Sequence, residues 1–108
     1  YEYDRYLTSD VVEVANNLTF SLWFYIDYSE SSCNFQIQYQ KNGSGFETIF
    51  QTNYSQEYSW TNVELDLSES VNFRDEVEFR LVAHVGSTSS GSDDIQIFVD
   101  DIVIMGKS

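Results

Sequence analysis

Apolar and polar residues alternate with a period of two along most of this chain. The clearest run extends from Leu18 to Tyr28, and its two sets are Leu18, Phe20, Leu22, Phe24, Ile26 and Thr19, Ser21, Trp23, Tyr25, Asp27. Such alternation is typical of a β-strand with one buried face and one face in water. The run therefore predicts a strand whose outward face carries two large aromatic side chains, Trp23 and Tyr25.

The same alternation recurs elsewhere and predicts further strands at residues 34–40, 46–51, 60–67, 76–85 and 95–105, with a less regular one at 7–14. Asn42-Gly43, between the second and third of the main runs, is a dipeptide typical of tight β-hairpins. No window has the i, i+3, i+4, i+7 apolar spacing of an amphipathic helix. Short strands joined by polar loops predict an all-β fold, a two-sheet antiparallel β-sandwich of the jelly-roll type.

Length and apolar content are sufficient for one such domain. The chain has 108 residues, of which 42% are hydrophobic, so one core can form without disulfides. The residues expected in that core are Phe20, Leu22, Phe24, Ile37, Val63, Leu65, Phe79, Leu81 and Ile97. Because the chain lacks an initiating Met and stops abruptly, we expect residues 1–108 to be a single β-sandwich module excised from a larger protein.

The charge of the chain excludes several classes of function. Asp and Glu number 18 against five Lys and Arg, and the net charge is −13. A protein this acidic is not expected to neutralise a nucleic-acid backbone or to dock on an anionic membrane surface. Apolar stretches fall far short of the roughly 20 residues that a membrane helix needs. A single Cys and a single His rule out a Cys/His zinc site, and no pair of acids is marked out for glycosidase chemistry, so we expect no enzymatic activity.

Several segments resemble a known group of domains. They are the strand Leu18 to Tyr25, the run Trp60-Thr61-Asn62-Val63-Glu64-Leu65-Asp66-Leu67, and the closing Asp100-Asp101-Ile102. Their order is similar to that of the jelly roll shared by MAM domains, the cleaved-adhesin domains of bacterial surface proteases and many carbohydrate-binding modules. The resemblance implies a non-catalytic binding module that is secreted or lies at the cell surface. Its ligand is expected to be a polysaccharide or glycan, or alternatively a cell-surface protein in cell adhesion.

The outward aromatic side chains are the first candidates for ligand binding. Sugar rings stack on flat aromatic faces, and Trp23 and Tyr25 are therefore candidate contacts. Side chains that hydrogen-bond sugar hydroxyls are available on other outward positions, namely Gln36, Gln38, Arg80 and His84. The structural alternative is that a loop or the N-terminal segment covers Trp23 and Tyr25. Trp60, by contrast, is expected to be a core residue at the edge of the sandwich.

The acidic pair Asp100-Asp101 interrupts the alternation of the last strand. This interruption predicts a β-bulge or the end of the strand at that point. Clustered carboxylates are ligands for hard cations, and in the resembling families an Asp on the final strand often serves a structural calcium. Calcium at Asp100 and Asp101 is therefore a prediction, and its alternative is two solvated acids.

Overall fold

The computed structural model describes residues 3–26, 33–52, 59–85 and 97–107. These residues form seven strands: β1 (Tyr3–Thr8), β2 (Val12–Ile26), β3 (Cys33–Lys41), β4 (Glu47–Gln51), β5 (Thr61–Asp66), β6 (Glu76–Val85) and β7 (Ile97–Lys107). All pairings between them are antiparallel. The described residues include no helix of the length and apolarity that crosses a bilayer.

The strands form two sheets that share β2. In the four-stranded sheet the order is β4-β3-β6-β1, and in the three-stranded sheet it is β5-β2-β7. The beginning of β2 also pairs with β6 through Val12 and Glu13, so this 15-residue strand passes from one sheet to the other. The predicted antiparallel β-sandwich is confirmed.

The core lies between the two sheets and is built from the inward positions of the alternating strands. Of the nine predicted core residues, six are buried and three (Leu65, Leu81 and Ile97) are partly buried against the same cluster. Phe20 of β2 and Phe79 of β6 stack across the interior with ring centroids 4.5 Å apart. The period-two pattern therefore identified the core correctly. Val82 is an exception, because it lies on the outward side of β6 and is nevertheless only 1% exposed.

The single early strand predicted at 7–14 is wrong in its extent. Two strands occupy this region, because β1 ends at Thr8 and β2 begins at Val12. Along one edge of β6, β1 pairs with residues from Arg80 onwards and β2 pairs with Val77. Ser9 occupies the gap between them. Its backbone N–H donates to the Phe79 carbonyl at 2.8 Å, and its hydroxyl accepts from the Phe79 N–H at 3.0 Å. The backbone N–H and carbonyl of Phe79 in β6 thus have hydrogen-bond partners at the point where neither strand pairs with β6.

Two local predictions are confirmed. Asn42 and Gly43 form the β3–β4 turn with φ of 54° and 73°, the left-handed conformation that such a turn requires. The β2–β7 register shifts between Ser21, which lies opposite Val103, and Trp23, which lies opposite Asp100. This shift places the bulge at Asp101, where φ is 52°. Before the bulge, the odd-numbered residues Ile97 and Val99 face the core, whereas beyond it the even-numbered Ile104 does so.

Candidate functional site

The predicted ligand residues divide between the two outer faces of the sandwich. Gln36, Gln38, Arg80 and His84 occupy outward positions of β3 and β6, in the four-stranded sheet. Trp23 and Tyr25 occupy outward positions of β2, in the three-stranded sheet. Because the core separates these faces, one small ligand cannot contact both groups. We call the first surface the amide face.

The amide face is a network of side chains that hydrogen-bond one another. Arg80 donates from Nε and Nη2 to Gln38 Oε1 at 2.9 and 2.6 Å. Gln38 Nε2 donates in turn to Gln36 Oε1 at 3.0 Å and to Thr48 Oγ1 at 3.1 Å, and Gln36 Nε2 donates to Asn34 Oδ1 at 2.9 Å. The amides and the guanidinium group therefore satisfy one another across β3, β4 and β6.

Aromatic rings cover the charged group at the centre of this face. The guanidinium carbon of Arg80 lies 4.5 Å from the ring centroid of Tyr6 and 4.0 Å from that of Phe46, within the range of a cation–π contact. Tyr6 and Gln36 also lie opposite Val82 on its two neighbouring strands, which accounts for the burial of that outward residue. These contacts tie β1 and the β3–β4 hairpin to the central strand, and ligand binding by the amide face stays a prediction.

The outer face of the three-stranded sheet carries exposed aromatic rings. Tyr25 lies at their centre, with its ring centroid 5.7 Å from that of Trp60 and 6.1 Å from that of Phe98. Tyr25 is half-buried, whereas Trp23, Trp60 and Phe98 are 42%, 49% and 47% exposed. We call these four residues the aromatic face. They form an open apolar surface at which a flat ligand has access to several rings.

The expectation that Trp60 belongs to the core is wrong. The inward residues of the β5 region are Val63, Leu65 and Leu67, so counting back with period two places residue 60 on the outward side. Trp60 precedes β5 and contacts Tyr25 there. The signal was therefore present in the sequence. Phe98 was missed as a site residue although its neighbours Ile97 and Val99 both pack against the core.

Oxygen acceptors surround the aromatic face. Asp100 and Asn62 lie opposite Trp23 on the two neighbouring strands, and Glu64 lies opposite Ser21. The carboxylate of Asp100 accepts a hydrogen bond from the Asp101 N–H at 2.9 Å, and the amide of Asn62 donates to the Leu22 carbonyl at 3.1 Å. Both side chains are thus held in place at the edge of the rings. A carboxylate held in this way can accept hydrogen bonds from ligand hydroxyls.

Asp66, opposite Thr19 at the far end of this face, is a further carboxylate. The hydroxyl and the backbone N–H of Ser68 donate to it at 2.6 and 2.9 Å. These hydrogen bonds hold the pKa of Asp66 below its usual value, because they stabilise the ionised form.

Asp100 and Asp101, the predicted calcium ligands, are exposed neighbours on β7. Nowhere among the described residues do three or more His, Cys, Asp or Glu side chains come together in a group able to hold a metal ion. One oxygen of Asp100 is already used by the backbone of Asp101. Calcium takes six to eight oxygen ligands, and its binding at Asp100 and Asp101 stays a prediction.

Comparison with known proteins identifies a similar fold. No protein-family model matches this sequence, and no curated protein matches it. Among solved structures, TmCBM61 in complex with β-1,4-galactotriose is similar, with a TM-score of 0.61 and 13% sequence identity over 97% of this chain. This chain spans 64% of the length of that one. The match supports a fold like that of this carbohydrate-binding module, and it does not support the resemblance to MAM and cleaved-adhesin domains.

Proposed function

We propose that this chain is a non-catalytic carbohydrate-binding module whose ligand, an oligosaccharide or polysaccharide, lies on the aromatic face. The observation that carries the proposal is the exposed cluster of Trp23, Tyr25, Trp60 and Phe98. It occurs on a fold that is similar to a structure determined with bound galactotriose. Exposed aromatic patches of this kind on small domains mark interaction sites.

The chemistry of the aromatic face suits a sugar chain. The apolar faces of pyranose rings pack on aromatic side chains, which present large rigid surfaces at a small cost in conformational entropy. Trp60, Tyr25 and Phe98 form a row across the strands, because Phe98 lies directly opposite Tyr25 and Trp60 contacts Tyr25 from the side of β5. Consecutive sugar units of one chain would follow this row. Asp100 and Asn62 would bond hydroxyl groups at its edge.

A module of this kind acts by keeping a covalently attached domain close to its polysaccharide, which raises the effective concentration of that domain at the surface. We therefore place the module in a secreted or cell-surface protein, attached to an enzyme or an adhesin. Catalysis is assigned to no residue of this chain. The interaction with the glycan is its whole contribution.

The test compares substitutions on the two outer faces. Trp23→Ala and Trp60→Ala each remove an exposed ring of the aromatic face, and Tyr6→Ala removes an exposed ring of the amide face as the control. Binding is measured by pull-down with insoluble polysaccharides, by a glycan array and by calorimetry with β-1,4-galactotriose. Hot-spot aromatic residues contribute about 2 kcal/mol or more, so each aromatic-face variant should bind roughly 30-fold more weakly. The melting temperature should stay nearly unchanged, because both rings are half in water.

Three results would contradict the proposal. One is the absence of any glycan binding by the wild-type chain. Another is binding that Tyr6→Ala weakens while Trp23→Ala leaves it intact, which would move the site to the amide face. The third is unfolding of Trp23→Ala, which would show that the ring is structural. A cell-surface protein that binds in place of a glycan would favour the adhesion function that the sequence left open.

A further inference from the structure

The cationic side chains of this protein all lie away from the aromatic face. The chain has five Lys and Arg residues, and all five fall within the described residues. Arg80 is enclosed on the amide face between Tyr6 and Phe46. Lys41, at the end of β3, donates from Nζ to the Ser70 carbonyl at 3.0 Å. Neither residue lies in the three-stranded sheet.

The other three do not lie beside the rings either. Arg5 lies on β1 opposite Ala83 and lines a cavity with Ile97 and Val99, whose side chains pack against the core and not on the outer face. Arg74 lies in the β5–β6 loop over the ring of Phe73, with 5.2 Å from its guanidinium carbon to the ring centroid. Lys107 lies on β7 itself but nine residues beyond Phe98, which is roughly 30 Å at the rise of a strand. Such a separation exceeds the screening length of about 8 Å at physiological ionic strength.

Carboxylates, by contrast, lie on the same outer face as the rings, and Asp100 lies directly beside Trp23. Asp100 is opposite Trp23, Glu64 is opposite Ser21, and Asp66 is opposite Thr19, so the outer face of the three-stranded sheet carries three exposed acids. The parts of the chain outside the described residues contain six more acids and no Lys, Arg or His. Whatever position those segments take, they bring no cationic side chain to the aromatic face.

We infer that the aromatic face is selective for uncharged glycans and rejects chains that carry carboxylate or sulfate groups. The inference rests on the proposed function and names the class of ligand for the same site. A sugar stacked on the rings brings its substituents next to Asp100, and an anionic substituent would meet a carboxylate with no compensating cation. Two like charges 4 Å apart repel by about 1 kcal/mol even in water, which is about a fivefold loss of affinity for each contact.

The test uses one sugar chain in two charge states. The probes are β-1,4-galactotriose and the same trisaccharide oxidised at C6 to the uronate, or any other neutral oligosaccharide that binds in the glycan screen together with its C6-oxidised form. At 20 mM salt the oxidised form should bind at least tenfold more weakly than the neutral form. The difference should shrink as sodium chloride is added, because the added salt screens the repulsion.

A pair of matched variants locates the effect. Asp100→Asn removes one charge from the aromatic face while keeping the Oδ1 acceptor for the Asp101 N–H, and it should raise the affinity ratio of oxidised to neutral ligand about fivefold. Glu78→Gln removes one charge from the amide face, where Gln40 Nε2 donates to Glu78 Oε1 at 2.9 Å, and it should leave that ratio unchanged.

The possible failures are distinguishable. If no glycan of either charge binds, the proposed function is wrong. If a glycan binds on the aromatic face but its oxidised form binds equally well, or if the screen returns only anionic glycans, the inference about charge is wrong and the proposed function stands. Equal effects of Asp100→Asn and Glu78→Gln would attribute the discrimination to net charge, which also overturns the inference.

Discussion

Phe79 is the residue whose removal should test the two-sheet core most directly. It comes from β6, is 2% exposed, and stacks on Phe20 from the opposite sheet at 4.5 Å. Core Phe→Ala substitutions cost about 3–5 kcal/mol because of lost burial and the cavity that remains. The stacked geometry adds roughly 0.5–1.5 kcal/mol, so we expect Phe79→Ala to lower the free energy of unfolding by at least about 3.5 kcal/mol, a large part of the roughly 5 kcal/mol of a marginal domain.

The measurement is denaturant unfolding of Phe79→Ala beside Phe73→Ala. The control makes the same chemical change at a ring that is 67% exposed, and surface substitutions of this kind usually change stability by about 0.5 kcal/mol or less. Since a domain of this size loses about 4–8 °C of melting temperature per kcal/mol, Phe79→Ala should melt at least about 14 °C lower or fail to fold. Similar losses at both positions would refute the sandwich core described above.

A double-mutant cycle with Phe20→Ala extends the test. The rings are in contact, so the two losses should not add, and a coupling of about 0.5–3 kcal/mol is expected. If Phe79→Ala proves too unstable to measure, the milder Phe20→Leu and Phe79→Leu pair gives the same cycle. Strict additivity would show that the sheets do not meet at these rings.

The remaining predictions concern the backbone, pH and calcium. Gly106→Ala should cost several kcal/mol more than Gly43→Ala in denaturant unfolding. Both glycines have positive φ (95° and 73°), but a Cβ at Gly106 would collide with the backbone of Asn17, whereas Gly43 has open space around it. Equal costs would contradict this prediction. Hydrogen bonds from the side-chain amide of Asn42 and from the backbone N–H of Asn72 hold the pKa of Asp75 below its usual 3.8. The contribution of Asp75 to stability is therefore present above pH 4 and lost as the pH falls through the lowered pKa. Melting curves between pH 2 and 5 should therefore lose part of their acid dependence in Asp75→Asn, and an unaltered profile would count against the prediction. If calcium binds at Asp100 and Asp101, a chelator should lower the melting temperature and Asp101→Asn should abolish that effect; an equal shift with sodium chloride at matched ionic strength would exclude a dedicated site.

The period-two pattern was sufficient to identify most strands and nearly all of the core. Burial of one strand face depends on the residues of that strand, so Phe20, Leu22 and Phe24 could be assigned inward without knowing their partners. The Asn42-Gly43 turn and the bulge near Asp101 were predicted for a similar local reason, because backbone conformation there follows from a few adjacent residues. Trp60 was misassigned, but it follows the same alternation. It lies three positions before the inward Val63 and therefore faces outward.

The local pattern could not predict which strands pair with one another in each sheet. Alternation assigns a side chain to one of two faces of its strand, but it does not specify the sheet to which the strand belongs or its neighbours there. Trp23 and Gln36 were therefore both named as ligand contacts without their relative position, which long-range pairing decides by placing β2 beside β5 and β7, and β3 beside β4 and β6. The break at Ser9 and the burial of outward Val82 likewise depend on residues about 70 positions apart in the chain. Strand register is set by contacts between segments distant in sequence, and these contacts determine which aromatic rings meet on one surface.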